Sequence, residues 1–316
     1  MTATTAETHP RSWREAWRDP SLKLQRTLAM VLLLCQGGIT VTGSLVRVTG
    51  SGLGCDTWPL CHEGSLVPVA GAAPWIHQAI EFGNRLLAFV VAAAAGLVLF
   101  AVIRAGRRKD IKTLAWISLI GVVVQAVIGG ISVRLDLRWW SVAVHFLPSM
   151  VLVFVAAMLY MRIAETDSAV PTRRYPGSAQ TWTLIAAAAL CLVLVTGTMV
   201  TGSGPHSGDA GVGMEGRLQM DTRVLAYVHS VCMYLYLIAT VITTVLLRNS
   251  GAPDDAKRTA YVLIAMILVQ WAIGVIQFRM GVPRWTIPAH IAMSSVVVAF
   301  SGFLFAHGKR RLPTLV

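Results

Sequence analysis

The chain has 316 residues, of which 55% are hydrophobic and only 13% are charged, and its mean hydropathy is +0.64. Soluble domains carry about 25% charged residues, so this composition excludes a water-soluble protein and indicates an integral membrane protein. The net charge of +12 does not indicate nucleic-acid binding, because the basic residues are concentrated on one side of the predicted spans.

Eight apolar segments are long enough to cross a bilayer, which takes about 20 helical residues. Their predicted bounds are 25–46, 76–103, 113–133, 140–162, 180–201, 222–247, 259–279 and 286–306. Most of the 27 Lys and Arg residues lie in alternate polar segments, together with both termini. The positive-inside rule therefore places both termini in the cytoplasm. The first 20 residues hold acidic side chains and no apolar run, which is unlike a signal peptide.

The chain consists of two copies of one unit. Val-Gln occurs at 124–125 and again at 269–270, followed each time by Gly, Arg, Trp and His at the same spacings, with an offset of 145 residues. Val-Thr-Gly-Ser-Gly occurs at 48–52 and at 200–204. An internal repeat of this kind must be identified before any local motif is interpreted. Each copy holds an even number of spans, so both copies enter the membrane in the same sense, and we expect a pseudo-two-fold axis along the membrane normal.

The predicted fold is therefore an all-α integral membrane protein with eight transmembrane helices in two four-helix bundles. The two long external loops are predicted at 47–75 and 202–221, one in each half, and the first copy carries seven extra residues there. The predicted division is a cytoplasmic tail at 1–24, an N-terminal half at 25–164, a cytoplasmic linker at 165–179, a C-terminal half at 180–307 and a second tail at 308–316.

The first external loop contains Cys55 and Cys61, followed by His62. The outside of a bacterial inner membrane is oxidising, so a disulfide is plausible. Two free thiols are the alternative, and a metal site is weaker, because His62 is the only further ligand nearby. The remaining cysteines lie in apolar runs, where a small buried side chain is the simplest interpretation.

The second copy carries His229 about two turns into the sixth span and His290 about one turn into the eighth. A lone membrane histidine usually packs helices, but two at matching depth on alternate helices of one bundle suit a cofactor site. Two opposed imidazoles are typical axial ligands of haem iron. The pattern thus predicts a bis-histidine haem site in the C-terminal half.

The first copy keeps His145, but Asn84 occupies the position that corresponds to His229. Glu81 and Arg85 flank Asn84 on the same helix, and the second copy has Ala226 in place of Glu81. The spacing allows a Glu81–Arg85 ion pair that neutralises itself. Because a carboxylate in a membrane is costly and is found in only one copy, we favour an acid/base or charge-stabilising role. One half would hold a permanent haem and the other would do chemistry.

These residues resemble the haem A synthase family. The resemblance rests on Thr-Gly-Ser-Gly-Leu-Gly-Cys at 49–55, Trp-Pro-Leu-Cys-His at 58–62, Ile-Glu at 80–81, Arg-Leu at 85–86 and the three histidines, and it covers about 24–307. It implies oxidation of the C8 methyl of haem O to the formyl group of haem A, for aa3-type terminal oxidases. It also implies haem b between His229 and His290, a catalytic Glu81, substrate haem bound by His145, and a Cys55–Cys61 disulfide.

The resemblance further implies a bacterial cell membrane location, haem O synthase and oxidase assembly factors as partners, and it allows a homo-oligomer. Many relatives have a histidine where this chain has Asn84, so substrate iron is bound by His145 alone or with a residue such as His77. Asn84 and Arg85 remain candidates for substrate binding. The alternatives are a di-haem b-type electron carrier, which Asn84 argues against, and a transporter built from repeats, which would not need fixed axial ligands.

Overall fold

A computed structural model describes residues 17–206 and 216–311. Within them it contains eight helices that are long and apolar enough to cross a membrane, which confirms the predicted helical membrane fold. Their bounds are α1 Leu22–Val48, α2 Trp75–Arg104, α3 Lys109–Arg134, α4 Trp139–Ile163, α5 Gly177–Ser203, α6 Thr222–Asn249, α7 Asp254–Arg279 and α8 Thr286–His307. The shortest has 22 residues, or about 33 Å at 1.5 Å per residue, which exceeds the hydrocarbon core.

The helix ends follow from local sequence. Ser21 caps α1 by accepting a hydrogen bond from the Leu24 amide at 3.2 Å, and Asp221 caps α6 by accepting one from the Arg223 amide at 2.7 Å. Side-chain oxygens at this position satisfy amides that have no partner within the helix. Several helices extend beyond the predicted apolar spans. For example, α7 begins at Asp254 rather than 259, because its first turn is charged and lies outside the apolar stretch.

Helices α4 and α8 form the centre of the molecule. They pack on each other, α1 packs on both of them, and α5 packs on α4. The Ser295 hydroxyl contacts the Met150 sulfur at 3.9 Å, and a Cβ on Gly302 would lie 3.0 Å from that of Ala157. Both contacts join residues that are 145 positions apart, so each residue contacts the residue that corresponds to it in the other copy. Such contacts occur close to a two-fold axis. These contacts between α4 and α8 support the predicted pseudo-two-fold axis. The axis itself stays a prediction.

The linker between the two halves is bound to the segment that follows α8. Strand β1, Thr172–Arg173, pairs antiparallel with strand β2, Lys309–Arg310. The buried Arg107 guanidinium donates to the Asp167 carboxylate, with a closest approach of 2.9 Å, and to the Glu165 carbonyl at 2.9 Å. The predicted linker therefore packs against the helix ends of both halves. Its last residues, from Gly177, already belong to α5.

Candidate functional site

The two histidines of the C-terminal half face each other. The rings of His229 and His290 have centroids 6.5 Å apart and an interplanar angle of 56°. A metal bound between two imidazoles, at about 2 Å from each nitrogen, separates the ring centroids by roughly 6–6.5 Å. The pair therefore fits one metal atom as axial ligands, as haem iron requires.

Hydrogen bonds orient the His229 ring. Its Nδ1 lies 3.0 Å from the Val193 carbonyl oxygen and 3.2 Å from the Thr196 hydroxyl, both on α5. A carbonyl oxygen only accepts, so Nδ1 carries the proton and donates. The lone pair is then on Nε2, which is left for a metal. A second hydrogen bond of this kind fixes the tautomer and orientation of most metal-bound histidines.

Gln270 on α7 holds the His290 turn of α8. Its amide nitrogen donates to the His290 carbonyl at 3.2 Å and to the Ser294 hydroxyl at 2.8 Å, and it lies 3.0 Å from Nε2 of His290. Nδ1 of His290 is buried and has no hydrogen-bond partner within the described residues. Because an amide nitrogen only donates, Nε2 accepts from Gln270 in this arrangement and Nδ1 carries the ring proton. A buried N–H without a partner is costly, so the His290 ring is incompletely satisfied without a bound group.

The same support is found in the N-terminal half. Gln125 on α3 donates to the His145 carbonyl at 2.6 Å and also to the Ser149 hydroxyl. Nδ1 of His145 is again buried and without a partner among the described residues. Sequence reasoning found the Gln-to-His repeat but gave the glutamines no role. The structure shows that they position the helix turn that carries each histidine.

A glycine on the neighbouring helix lies against each of the three histidine rings. A Cβ would be 3.0 Å from the ring of His145 at Gly129, 3.2 Å from that of His229 at Gly197, and 3.3 Å from that of His290 at Gly274. These distances are too short for a side chain without displacement of the ring. Each imidazole therefore packs directly on helix backbone.

Asn84 corresponds to His229 in the other copy, and each of them contacts a threonine at an equivalent place. The Thr42 hydroxyl donates to the Asn84 side-chain oxygen at 2.7 Å, as Thr196 contacts His229. Sequence reasoning missed both threonines. The matching Thr-Gly pairs at 42–43 and 196–197 have a different offset from the rest of the repeat, and that shift hides their equivalence.

Glu81 is buried, with 5% of its surface exposed. One carboxylate oxygen accepts from the Cys55 amide at 2.7 Å, and the other pairs with Arg85 at 2.6 Å. Arg85 also donates to the carbonyls of Leu60 at 3.0 Å and Cys55 at 2.9 Å. The expected Glu81–Arg85 ion pair is thus present, and both of its members are tied to the external loop.

The external loop packs on the N-terminal half. Cys55 and Cys61 lie at disulfide distance, which favours the predicted bridge over free thiols or a metal site. His62 instead lies between the Asp56 carboxylate at 3.0 Å and the Gln78 amide oxygen at 2.9 Å. The Trp58 ring lies so close to Gly130 that it would overlap any Cβ there. The loop is therefore a folded cover over the external end of α2, where Glu81 lies.

Fold and site together define a multi-pass membrane protein with a facing histidine pair in one four-helix half and a buried carboxylate in the other. The chain belongs to the COX15-CtaA family of cytochrome oxidase assembly proteins, whose sequence model matches residues 26–301.

Curated relatives support the same family. A protein named heme A synthase from Exiguobacterium sp. is 36% identical over 147 residues, which is 45% of this chain and 44% of the relative. Proteins with the same name from Bacillus licheniformis and Listeria welshimeri are 32% identical over 147 residues and 29% identical over 151 residues, covering 44% and 47% of each relative. The matched part of the chain thus spans less than half the length of these relatives.

Proposed function

We propose that the chain is a haem A synthase, which oxidises the C8 methyl group of haem O to a formyl group for aa3-type terminal oxidases. The observation that carries this proposal is the asymmetry of the two halves. They share histidine supports, but among the residues that the structure describes only the N-terminal half has a buried carboxylate under a folded loop. One half is thereby suited to hold a cofactor and the other to act on a bound molecule.

In the C-terminal half, His229 and His290 would hold one haem b as axial ligands. Their centroid separation of 6.5 Å and the orphan Nδ1 of His290 support this assignment. A bis-histidine haem supplies one-electron transfer, which is the chemistry that stepwise oxidation of a substrate needs.

In the N-terminal half, His145 would bind the iron of haem O, and Asn84 and Arg85 would lie at the substrate. Conversion of a methyl to a formyl group adds one oxygen atom, from water or dioxygen, and removes four electrons, which an external oxidant must accept; removal of electrons builds positive charge at that carbon. Glu81 is held in place by the Cys55 amide and by Arg85. In the proposal this carboxylate stabilises the developing charge and takes up a proton. A fixed charge in a dry site typically contributes about 10²–10³ in rate.

The proposed setting is a bacterial cell membrane, with both termini in the cytoplasm and the Cys55 loop outside. Successive helices end on opposite sides of the membrane, and each of α1, α2 and α3 has an arginine in its last turn. These arginines do not distinguish the two sides, so the orientation rests on the larger number of basic residues on the proposed inner side. A haem O synthase would supply the substrate, and oxidase assembly factors would take the product.

The test is haem extraction from cells that make haem O, with and without the chain, followed by chromatography. The expected result is haem A only when the chain is present, and a purified protein that carries haem b. A purified protein with two equivalents of haem b and no haem A formation would instead establish the electron carrier. The matched control is His145→Ala, which should leave haem b in place and stop haem A formation.

A further inference from the structure

We propose that substrate haem bound in the N-terminal half has His145 as its single protein ligand, and that the Asn84 amide donates a hydrogen bond to a small diatomic ligand on the opposite face of the iron. This inference deepens the proposed function and rests on it. It assigns Asn84 a distal role that a histidine at this position would not have.

Asn84 occupies the place of an axial ligand. Thr42 contacts it at 2.7 Å, as Thr196 contacts His229 at 3.2 Å. On the other side of the site, Gln125 supports His145 as Gln270 supports His290. Both positions of the ligand pair are thus reproduced in the N-terminal half, with only one side chain changed.

The hydrogen bond from Thr42 sets the orientation of the Asn84 amide. The side-chain oxygen accepts from the hydroxyl of Thr42, and the amide nitrogen has no partner within the described residues. An amide NH₂ group has two donors and no lone pair for iron. The free end of Asn84 is therefore a hydrogen-bond donor. Donors opposite the proximal histidine govern how haem iron binds exogenous ligands.

The Asn84 side of the site is more open than its equivalent in the other half. A Cβ on Gly43 meets nothing within 4 Å, whereas one on Gly197, its counterpart, would lie 3.2 Å from the His229 ring. The asparagine side chain is shorter than the imidazole that occupies this place in the other half. In the proposal, a molecule the size of carbon monoxide or dioxygen takes the place of the missing imidazole.

His77 does not supply the missing ligand. It lies seven residues before Asn84 on α2, which is about 10 Å along a helix. Its Nδ1 is also 2.9 Å from the Gly50 carbonyl and donates to it. An imidazole two turns away cannot bind the same iron on the axis that Asn84 and His145 define. Glu81 is one turn away, but both of its oxygens are already engaged.

The experiment uses the purified full chain with its resident haem, loaded with haem O, reduced without oxygen and exposed to carbon monoxide. The spin state of the oxidised sample and the C–O stretching frequency are measured. We expect high-spin substrate haem that binds carbon monoxide, and a resident haem that does not. Asn84→His should give low-spin substrate haem and abolish carbon monoxide binding. Asn84→Leu should keep binding but raise the C–O frequency, because the donor is lost.

The repeat provides a matched control. His229→Asn recreates the Asn84 environment beside Thr196. It should abolish the low-spin bis-histidine spectrum, and the fraction of resident haem that stays bound should react with carbon monoxide. A wild-type substrate haem that is low-spin and inert to carbon monoxide would overturn the inference, as would an unchanged C–O frequency in Asn84→Leu. If the protein forms haem A but its substrate haem does not bind carbon monoxide, the inference is wrong and the proposed function stands. If its substrate haem binds carbon monoxide but no haem A forms, the proposed function is wrong and the inference stands.

Discussion

Glu81→Gln removes one charge from the site and leaves its shape nearly unchanged. In the structure the two carboxylate oxygens accept from the Cys55 amide and from Arg85, at 2.7 and 2.6 Å. A glutamine side chain has one oxygen, which accepts, and one NH₂ group, which donates. The NH₂ group would therefore face either the Cys55 amide or Arg85, both of which are also donors. Loss of a hydrogen bond to a charged group costs about 1.5–3 kcal/mol. We expect the external loop to be weakened by about that amount and the protein to remain folded.

The effect on chemistry should be larger. Removal of a preorganised charge or donor from a dry active site typically lowers the rate by about 10²–10³. We therefore expect Glu81→Gln to reduce haem A formation about 100-fold or more and to let haem O accumulate. The resident haem should keep its spectrum, because Glu81 lies in the other half, where Ala226 occupies the matching position. Chromatography of extracted haems reports haem O, haem A and haem b together.

Two further variants separate catalysis from loop anchoring. Arg85→Gln removes the bonds to the Leu60 and Cys55 carbonyls but keeps the carboxylate, and Glu81→Asp keeps the charge on a shorter side chain. If Glu81 acts through its charge, Glu81→Gln loses far more activity than Glu81→Asp, whereas Arg85→Gln reports loop anchoring and substrate binding together. Normal haem A formation by Glu81→Gln would refute the reasoning and leave Glu81 as a structural partner of the loop.

Three other perturbations have defined outcomes. Alanine at His229 or His290 should remove the stably bound haem b, and an unchanged low-spin spectrum in either variant contradicts the ligand assignment. Cys55 and Cys61 should resist alkylation until a reductant is added, and mass measurement of the alkylated protein decides this. Burial alone would raise the pKa of Asp167, but hydrogen bonds and charge from the neighbouring arginines lower it overall. Asp167→Asn should therefore lower the thermal midpoint at neutral pH. The difference should begin to shrink as the pH falls below about 4, where the unfolded chain takes up a proton, and should vanish at lower pH, where the folded carboxylate is also protonated.

Much of the fold was predictable because one force dominates it. A helix in a bilayer needs about 20 apolar residues, so each span appears directly in the sequence, and all eight were found. The charged first turns of α3 and α7 were not, because Lys109 and Asp254 lie beyond the apolar stretch. The facing histidines were also predictable, since a fixed repeat offset and helix geometry together set their depth.

Contacts that join distant segments were not predictable. Arg47 donates to the Thr201 carbonyl at 2.7 Å and links the two halves, but nothing in its own sequence neighbourhood indicates that partner. Arg107 and Asp167 form a contact between the end of α2 and the linker, and many basic residues there were equally good candidates. Such pairs depend on how helices pack, which hydropathy does not encode.

The distribution of differences between the halves locates the chemistry. The groups that hold the histidine-bearing turns are the same in both: a glutamine, a serine and a glycine against the ring. The differences lie on α2 against α6 and in the loop before α2. There Asn84 replaces a ligand, and Glu81 adds a charge. Under the proposed function, the shared scaffold would position a haem in each half. Ligand number and local charge would then decide which haem carries electrons and which is the substrate.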